Sequence, residues 1–222
     1  MKKVLKRLFA LIPAYAILPV LSFLLVNFLA FTVTEWTMDS VTRYAIALPL
    51  DEKIPFLPPF ILVYVLAFGQ WALSWILIAR ESPETVCRFA FADIVSKLIA
   101  LACFLLYPTT MDRPAFEVTD FFTFLVRFIY QVDKPYNLFP SIHVIESYLA
   151  LRAAFQLKHV SKAYRAFSIV FTVLVCLAIL FVKQHLVLDI PGGILACEMG
   201  LLAARICHRP LKTLSERLPY GK

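Results

Sequence analysis

Long uncharged apolar runs broken by short polar stretches dominate the chain. Residues 8–34 carry no charged side chain, and neither do residues 54–79. Each run exceeds the ~20 residues that carry a helix across a bilayer. Neither shows the polar stripe that a helix on a soluble core would need. Read along the whole chain, the pattern predicts six membrane-spanning helices, over roughly 8–31, 57–79, 89–107, 140–157, 166–183 and 188–206. Pro13 and Pro19 predict kinks in the first. Pro55, Pro58 and Pro59 lead into the second, where a helix's first turn tolerates the missing N–H. Only Arg80-Glu81-Ser82-Pro83-Glu84 and Arg88 separate the second from the third. Residues 108–137 form the longest polar connection. Within it, residues 119–130 set Phe121, Phe122, Phe124, Leu125, Phe128 and Ile129 against Asp120 and Arg127, the pattern of an amphipathic helix lying in the membrane interface.

Composition agrees with this pattern. The chain of 222 residues is 61% apolar and 17% charged, where a soluble domain is about half apolar and a quarter charged. The expected fold is all-α, a six-transmembrane-helix bundle forming one integral membrane domain over residues 1–222. Its chemistry would lie between about residues 107 and 190. The net charge of +7 points to membrane topology rather than nucleic acid. With the N-terminus inside, fifteen lysines and arginines fall on the inner side and six on the outer, with Lys97 inside a span. The positive-inside rule then places both termini in the cytoplasm, in a multi-pass protein of a bacterial plasma membrane. The basic residues 1–7 resemble a signal peptide, but the apolar run behind them is too long and lacks a cleavage site, so a retained first span is expected. Cys87, Cys103, Cys176, Cys197 and Cys207 form no C-x-x-C pair and suit packing. No repeat, glycine-rich loop or Walker motif occurs, and Gly192-Gly193 suits close helix contact.

Polar residues at the edges of apolar runs need a reason, and two stretches supply one. Asn137-Leu138-Phe139-Pro140-Ser141-Ile142-His143 opens the fourth span, and Lys183-Gln184-His185-Leu186-Val187-Leu188-Asp189 lies between the fifth and sixth. His185 and Asp189 share a helical face, and a carboxylate beside an imidazole fixes its tautomer and stabilises its cation. Free N–H groups at the helix start and the Ser141 hydroxyl make an anion site, with His143 one turn or less away to donate a proton. Arg113 and Lys183 offer positive charge to phosphoryl oxygens. The topology puts Arg113, His143 and His185 on one outward face. A metal site built from His143, His185 and Asp189 is the rival, disfavoured because Arg113 and Lys183 would repel a cation. Asp93 and Lys97, four apart within the third span, can neutralise each other, or one of them can meet Glu146 or Glu198.

At these residues the chain resembles the type-2 phosphatidic acid phosphatase superfamily, and within it the inositol phosphorylceramide synthase-like branch. The family pattern is K-x6-R-P, then P-S-G-H, then S-R-x5-H-x3-D. This chain has Arg113-Pro114, then Pro140-Ser141-Ile142-His143, then His185 and Asp189. The likeness covers roughly residues 97–195. Leu106 stands where the family has its lysine, Ile142 replaces the glycine, and Ile179 replaces the arginine of the third motif. The synthase-like branch also carries a bulky residue at the glycine position. Lys183 is read as the stand-in for the missing arginine. The resemblance implies chemistry without metal or other cofactor. His185 would attack phosphorus, Asp189 would orient it, and His143 would protonate the leaving alcohol. Arg113, Lys183 and Ser141 would hold the oxyanions. A lipid phosphate is the implied substrate. Water as acceptor makes a phosphatase, and an alcohol makes a phosphoalcohol transferase. A third reading, outside enzymology, is a transporter or scaffold using Asp93, Lys97, Glu146 and Glu198 as a polar pathway.

Overall fold

A computed structural model of the chain describes residues 12–37 and 41–218, with side chains for all of these except residue 31 and residues 34–37. The basic stretch 1–7 and the start of the first predicted span lie outside the described residues. Among the described residues, nine α-helices run in order: α1 (Ala14–Thr37), α2 (Pro49–Lys53), α3 (Ile61–Glu81, preceded by a 3-10 turn at Pro58–Phe60), α4 (Pro83–Leu106), α5 (Phe121–Val132), α6 (Ile142–Gln156), α7 (Lys162–Phe181), α8 (Asp189–Ile206) and α9 (His208–Glu216). Local chemistry sets their starts. Ser82, Ser141 and Ser161 each cap a helix by accepting from the backbone N–H three residues on. Asp120 and Thr123 form a reciprocal capping box on α5, 3.0 Å and 2.8 Å long.

The class is therefore all-helical, as the hydropathy pattern predicts. Among the described residues, three helical units are long and apolar enough to cross a membrane: Pro58–Glu81, α4 and α7. A fourth is reached if α8 and α9, bent by 71° at Cys207, count as one span. Among the described residues, the other two predicted spans are not shown by length and composition. The apolar part of α1 among the described residues is Ala14–Ala30, and α6 has only 15 residues. Fifteen residues rise roughly 22 Å, against a hydrocarbon core of about 30 Å. In the packing, α6 is held against α3, α4, α7 and α8, while α4 packs along α1 and α8.

The outer surface inverts the rule for soluble proteins. On α7, Val170 is 59% exposed while Ser168 and Thr172 are buried. Leu18, Leu21, Leu25 and Phe28 on α1, Leu66 on α3, and Leu195, Leu202 and Ile206 on α8 also face outward. Apolar sides turned out and polar groups turned in suit a lipid surround.

Inside, Lys97 on α4 is paired with both Asp93, at 2.9 Å, and Glu146 on α6, and all three are buried. Glu198 belongs to a separate network with Arg152 and Tyr148. Lys97 therefore meets the local partner and one of the two distant candidates together. Removing it leaves two buried carboxylates without a counter-charge. Lys97→Met is expected to destabilise the fold by about 3–5 kcal/mol. In thermal unfolding in detergent, the added Asp93→Asn change should restore part of the loss. An unchanged melting temperature for Lys97→Met would show that the cluster is not dry.

Two ends of the bundle are distinct. At one, Lys158 N–H donates to Glu81, Arg88 donates to Gln156, and His208 meets Glu84. At the other, Leu57 N–H donates to the Phe181 carbonyl, and a two-residue parallel pairing sets Tyr44 and Ala45 beside Thr109 and Thr110. This small sheet, unforeseen in the sequence pattern, anchors the loop ahead of α6. Thr109 Oγ1 accepts from the Leu138 and Phe139 N–H groups at 3.0 Å and 3.1 Å, and Thr110 Oγ1 donates to the Pro135 carbonyl.

Candidate functional site

The two motif stretches meet at this second end. Ser141 N–H donates to the Asp189 carbonyl at 3.3 Å, joining the start of α6 to the start of α8. The contact is close because residue 193 is glycine. A Cβ there would stand 2.7 Å from the Val144 Cβ and 2.9 Å from the Ser141 carbonyl oxygen. Ser141 is fully buried and its Oγ caps α6.

His185 sits in the turn between α7 and α8. The backbone N–H groups of Gln184 and His185 both donate to the Ile179 carbonyl. Lys183 takes φ 51°, a left-handed conformation that costs an L-residue roughly 1–2 kcal/mol. Its side chain holds the turn in place. Nζ donates to the carbonyls of Asp51, at 2.9 Å, and Ile54, at 2.6 Å. The Lys183 ammonium therefore lies against α2, not beside the histidines. Asp51 completes the clamp: its Oδ1 accepts from Val187 N–H and its Oδ2 from Leu48 N–H, each at 2.8 Å.

Asp189 Oδ2 accepts from Leu186 N–H at 2.8 Å and lies 3.1 Å from His185 Nδ1. The predicted pair is thus formed within its own turn. With Nδ1 committed to the carboxylate, Nε2 is the ring nitrogen left for chemistry. His143 lies across from it, the ring centroids 5.5 Å apart. Tyr64, Phe68 and Trp71, on one face of α3, surround the His143 ring at centroid distances of 4.5, 6.0 and 5.5 Å. Two of these rings are pinned: Tyr64 OH donates to Asp133 at 3.1 Å, and Trp71 Nε1 donates to Ser147 at 2.9 Å.

Arg113 is close but one layer back. It donates to the Asp133 carbonyl at 2.7 Å and to Gln184 Oε1, and its guanidinium lies 4.2 Å over the Tyr130 ring. Burial pushes the guanidinium below its usual value, while Asp133 and, less strongly, Tyr130 and Tyr64 act to raise it. Burial also pushes the Tyr130 hydroxyl up to about 12, with Arg113 opposing, so it stays protonated and donates to the Val182 carbonyl at 2.8 Å.

A cavity of about 840 Å³ opens from these groups into the bundle. His143, His185 and Gln184 line one part of it, Lys97 and Glu146 another, and most of the remaining wall is apolar. Its lining also includes Leu24 and Phe28 of α1, Phe68 of α3 and Val132 of α5, all exposed on the outer surface. The cavity therefore reaches the apolar exterior.

Buried polar atoms without a protein partner gather here: both nitrogens of His143, Gln184 Nε2, Arg113 Nε, Asn137 Oδ1 and Asp189 Oδ1. Each such atom costs roughly 1–3 kcal/mol if left dry. Of these residues, His143, Gln184 and Asn137 line the cavity. Among the described residues, no three His, Cys, Asp or Glu side chains are arranged to hold a metal ion.

Of the six residues singled out in the sequence, His143, His185, Asp189 and Ser141 come together, Arg113 stands behind them, and Lys183 is turned away. Tyr64, Phe68, Trp71, Asp133, Asp51 and Gln184 were missed. The spacing of residues 64, 68 and 71 places three aromatics on one helical face, a signal that lipid-facing aromatics also produce. Asp51 three residues after Leu48 and two after Pro49 is a helix-start signal, but nothing local ties it to residue 187. No protein-family model, curated protein or solved structure matches the chain.

Proposed function

We propose that this protein is a membrane lipid-phosphate phosphatase that works through a phosphohistidine at the extracytoplasmic face, distantly related to the type-2 phosphatidic acid phosphatases. The observation that carries the reading is the pair of histidines at one end of a largely apolar cavity. One is backed by a buried carboxylate, and the other has both nitrogens free of protein partners. His185 Nε2 attacks phosphorus, the N–P bond forms, and the P–O bond to the lipid alkoxide breaks. His143 gives its proton to that leaving oxygen and then takes one from water, which attacks the phosphohistidine and releases phosphate. Asp189 stabilises the positive charge on His185 through both steps. The lipid chain occupies the apolar remainder of the cavity.

In this reading α1, α3, α4, α6, α7 and α8 are the six spans, the 15-residue α6 being extended by the chain ahead of it, where Leu138 and Ser141 are buried in protein, and both termini are cytoplasmic. Basic residues favour the end that carries Arg80, Arg88, Lys158, Lys162 and Arg165. A single cysteine placed at exposed Asp120 is expected to react with an impermeant maleimide in intact cells. Labelling only after permeabilisation would reverse the orientation and remove the outer-leaflet site.

The deciding assay is phosphate release by the purified protein from a panel of lipid phosphates, with and without inositol or glycerol. Transfer to an alcohol is the second reading. It is favoured by the polar groups of Lys97 and Glu146 farther along the cavity, which a hydroxylated acceptor could meet. The transporter reading is weaker, because Glu198 is joined to Arg152 and not to the Lys97 cluster. Activity is expected to be unchanged in excess EDTA. A loss that zinc or magnesium restores would move the assignment to metal catalysis.

A further inference from the structure

We propose that the Gln184 side-chain amide is the group that meets the phosphoryl oxygens, and that Arg113 acts through it as a positioning and polarising residue. The inference rests on the phosphoryl-transfer reading above. Gln184 precedes His185 in the chain and is only 2% exposed, yet it lines the cavity beside both histidines. Its oxygen is committed, because a guanidinium can only donate and Arg113 Nη2 donates to Oε1. That orientation leaves Nε2 as the free end, and Nε2 has no protein partner. A buried amide nitrogen with two N–H donors and nothing to receive them is an unfilled acceptor site. The hydrogen bond from Arg113 draws electron density from the amide oxygen and strengthens those donors.

The two cations suggested by sequence do not take this place. Lys183 Nζ is spent on the carbonyls of Asp51 and Ile54. Both terminal nitrogens of Arg113 are engaged, and Gln184, not Arg113, lies in the cavity wall. Asp133 also lines the cavity, but its carboxylate accepts from Tyr64 and its backbone carbonyl accepts from Arg113, which ties it to the framework. The guest that Gln184 fits is a tetrahedral oxyanion, either the headgroup of a lipid phosphate or the phosphate released from it.

Gln184→Glu tests the proposal directly. The carboxylate keeps an acceptor for Arg113, and makes it stronger, but removes both donors. The full-length protein in detergent would be titrated with orthovanadate, and KM and kcat measured with dioctanoyl phosphatidate. A folded variant with an unchanged or higher melting temperature should bind vanadate about 10–100-fold more weakly. Gln184→Met removes the donors without adding charge. It should show a loss of about 10-fold or more, which separates a missing donor from repulsion and covers the case of an unfolded glutamate variant. A parallel rise in KM for the lipid assigns the seat to the headgroup, while loss for vanadate alone assigns it to the released phosphate. Vanadate binding within twofold of wild type in either folded variant would overturn the proposal and leave Gln184 a brace for Arg113. Wild-type protein that neither binds vanadate nor hydrolyses any lipid phosphate would instead overturn the phosphoryl-transfer reading itself.

Discussion

His185→Ala is expected to abolish phosphate release, a fall of at least ~10⁴-fold, because His185 is the one of the two cavity histidines that a buried carboxylate backs as nucleophile. Asp189 gives the more discriminating result. One carboxylate oxygen, Oδ2, serves both His185 Nδ1 and Leu186 N–H. The amide oxygen of Asp189→Asn can keep both contacts, so the turn and the imidazole tautomer survive. The variant loses the negative charge opposite the positive ring of the phosphorylated histidine. A drop of about 10²–10⁴ in kcat is expected, with little change in melting temperature. Acid-labile phosphate on the protein after mixing with substrate is the accompanying measurement, present in wild type and absent in His185→Ala. Wild-type turnover in purified His185→Ala would mean that the nucleophile lies elsewhere.

The second large effect separates the two histidines. An alkoxide leaving a lipid phosphate needs a proton, so the acid should be worth about 10²–10⁴ in rate. A nitrophenolate leaves almost unaided. His143→Ala should therefore nearly abolish release from a lipid phosphate while still allowing p-nitrophenyl phosphate to phosphorylate His185. Water then lacks its base, and the intermediate accumulates. The expected trace is a burst of nitrophenol equal to the enzyme present, followed by slow turnover, with phosphohistidine on the protein. The surrounding box should persist, because Tyr64 and Trp71 are held by Asp133 and Ser147 and not by the imidazole. Equal loss for both substrates with no burst would make His143 structural, or the nucleophile itself.

Both predictions begin from residues visible in the linear pattern. His185 and Asp189 are four apart, and their contact is local, so spacing alone foretells it. The capped start of α6 at Ser141 is likewise written in a short stretch of chain. The Asp93–Lys97 pair follows from the same rule, while the choice of Glu146 over Glu198 does not. It depends on which face of α6 turns towards α4, and close packing beside glycines such as Gly193 contributes to that register.

Lys183 and Gln184 show the limit most clearly. In the sequence, lysine is the better phosphate ligand, since it carries the charge and stands two residues from the histidine. In the fold, Lys183 takes a left-handed backbone and reaches back to Asp51, while its uncharged neighbour enters the cavity wall with Arg113 behind it. Hydropathy by itself determined the helical class, the apolar exterior and the rough positions of the longer helices, though not of α2 and α9, because the cost of burying or exposing a side chain is paid residue by residue and repeats along the chain. The tertiary structure decided which polar groups share the cavity. Those contacts join residues 64 to 133, 113 to 184 and 51 to 187, and no local rule constrains the direction of a side chain across such separations.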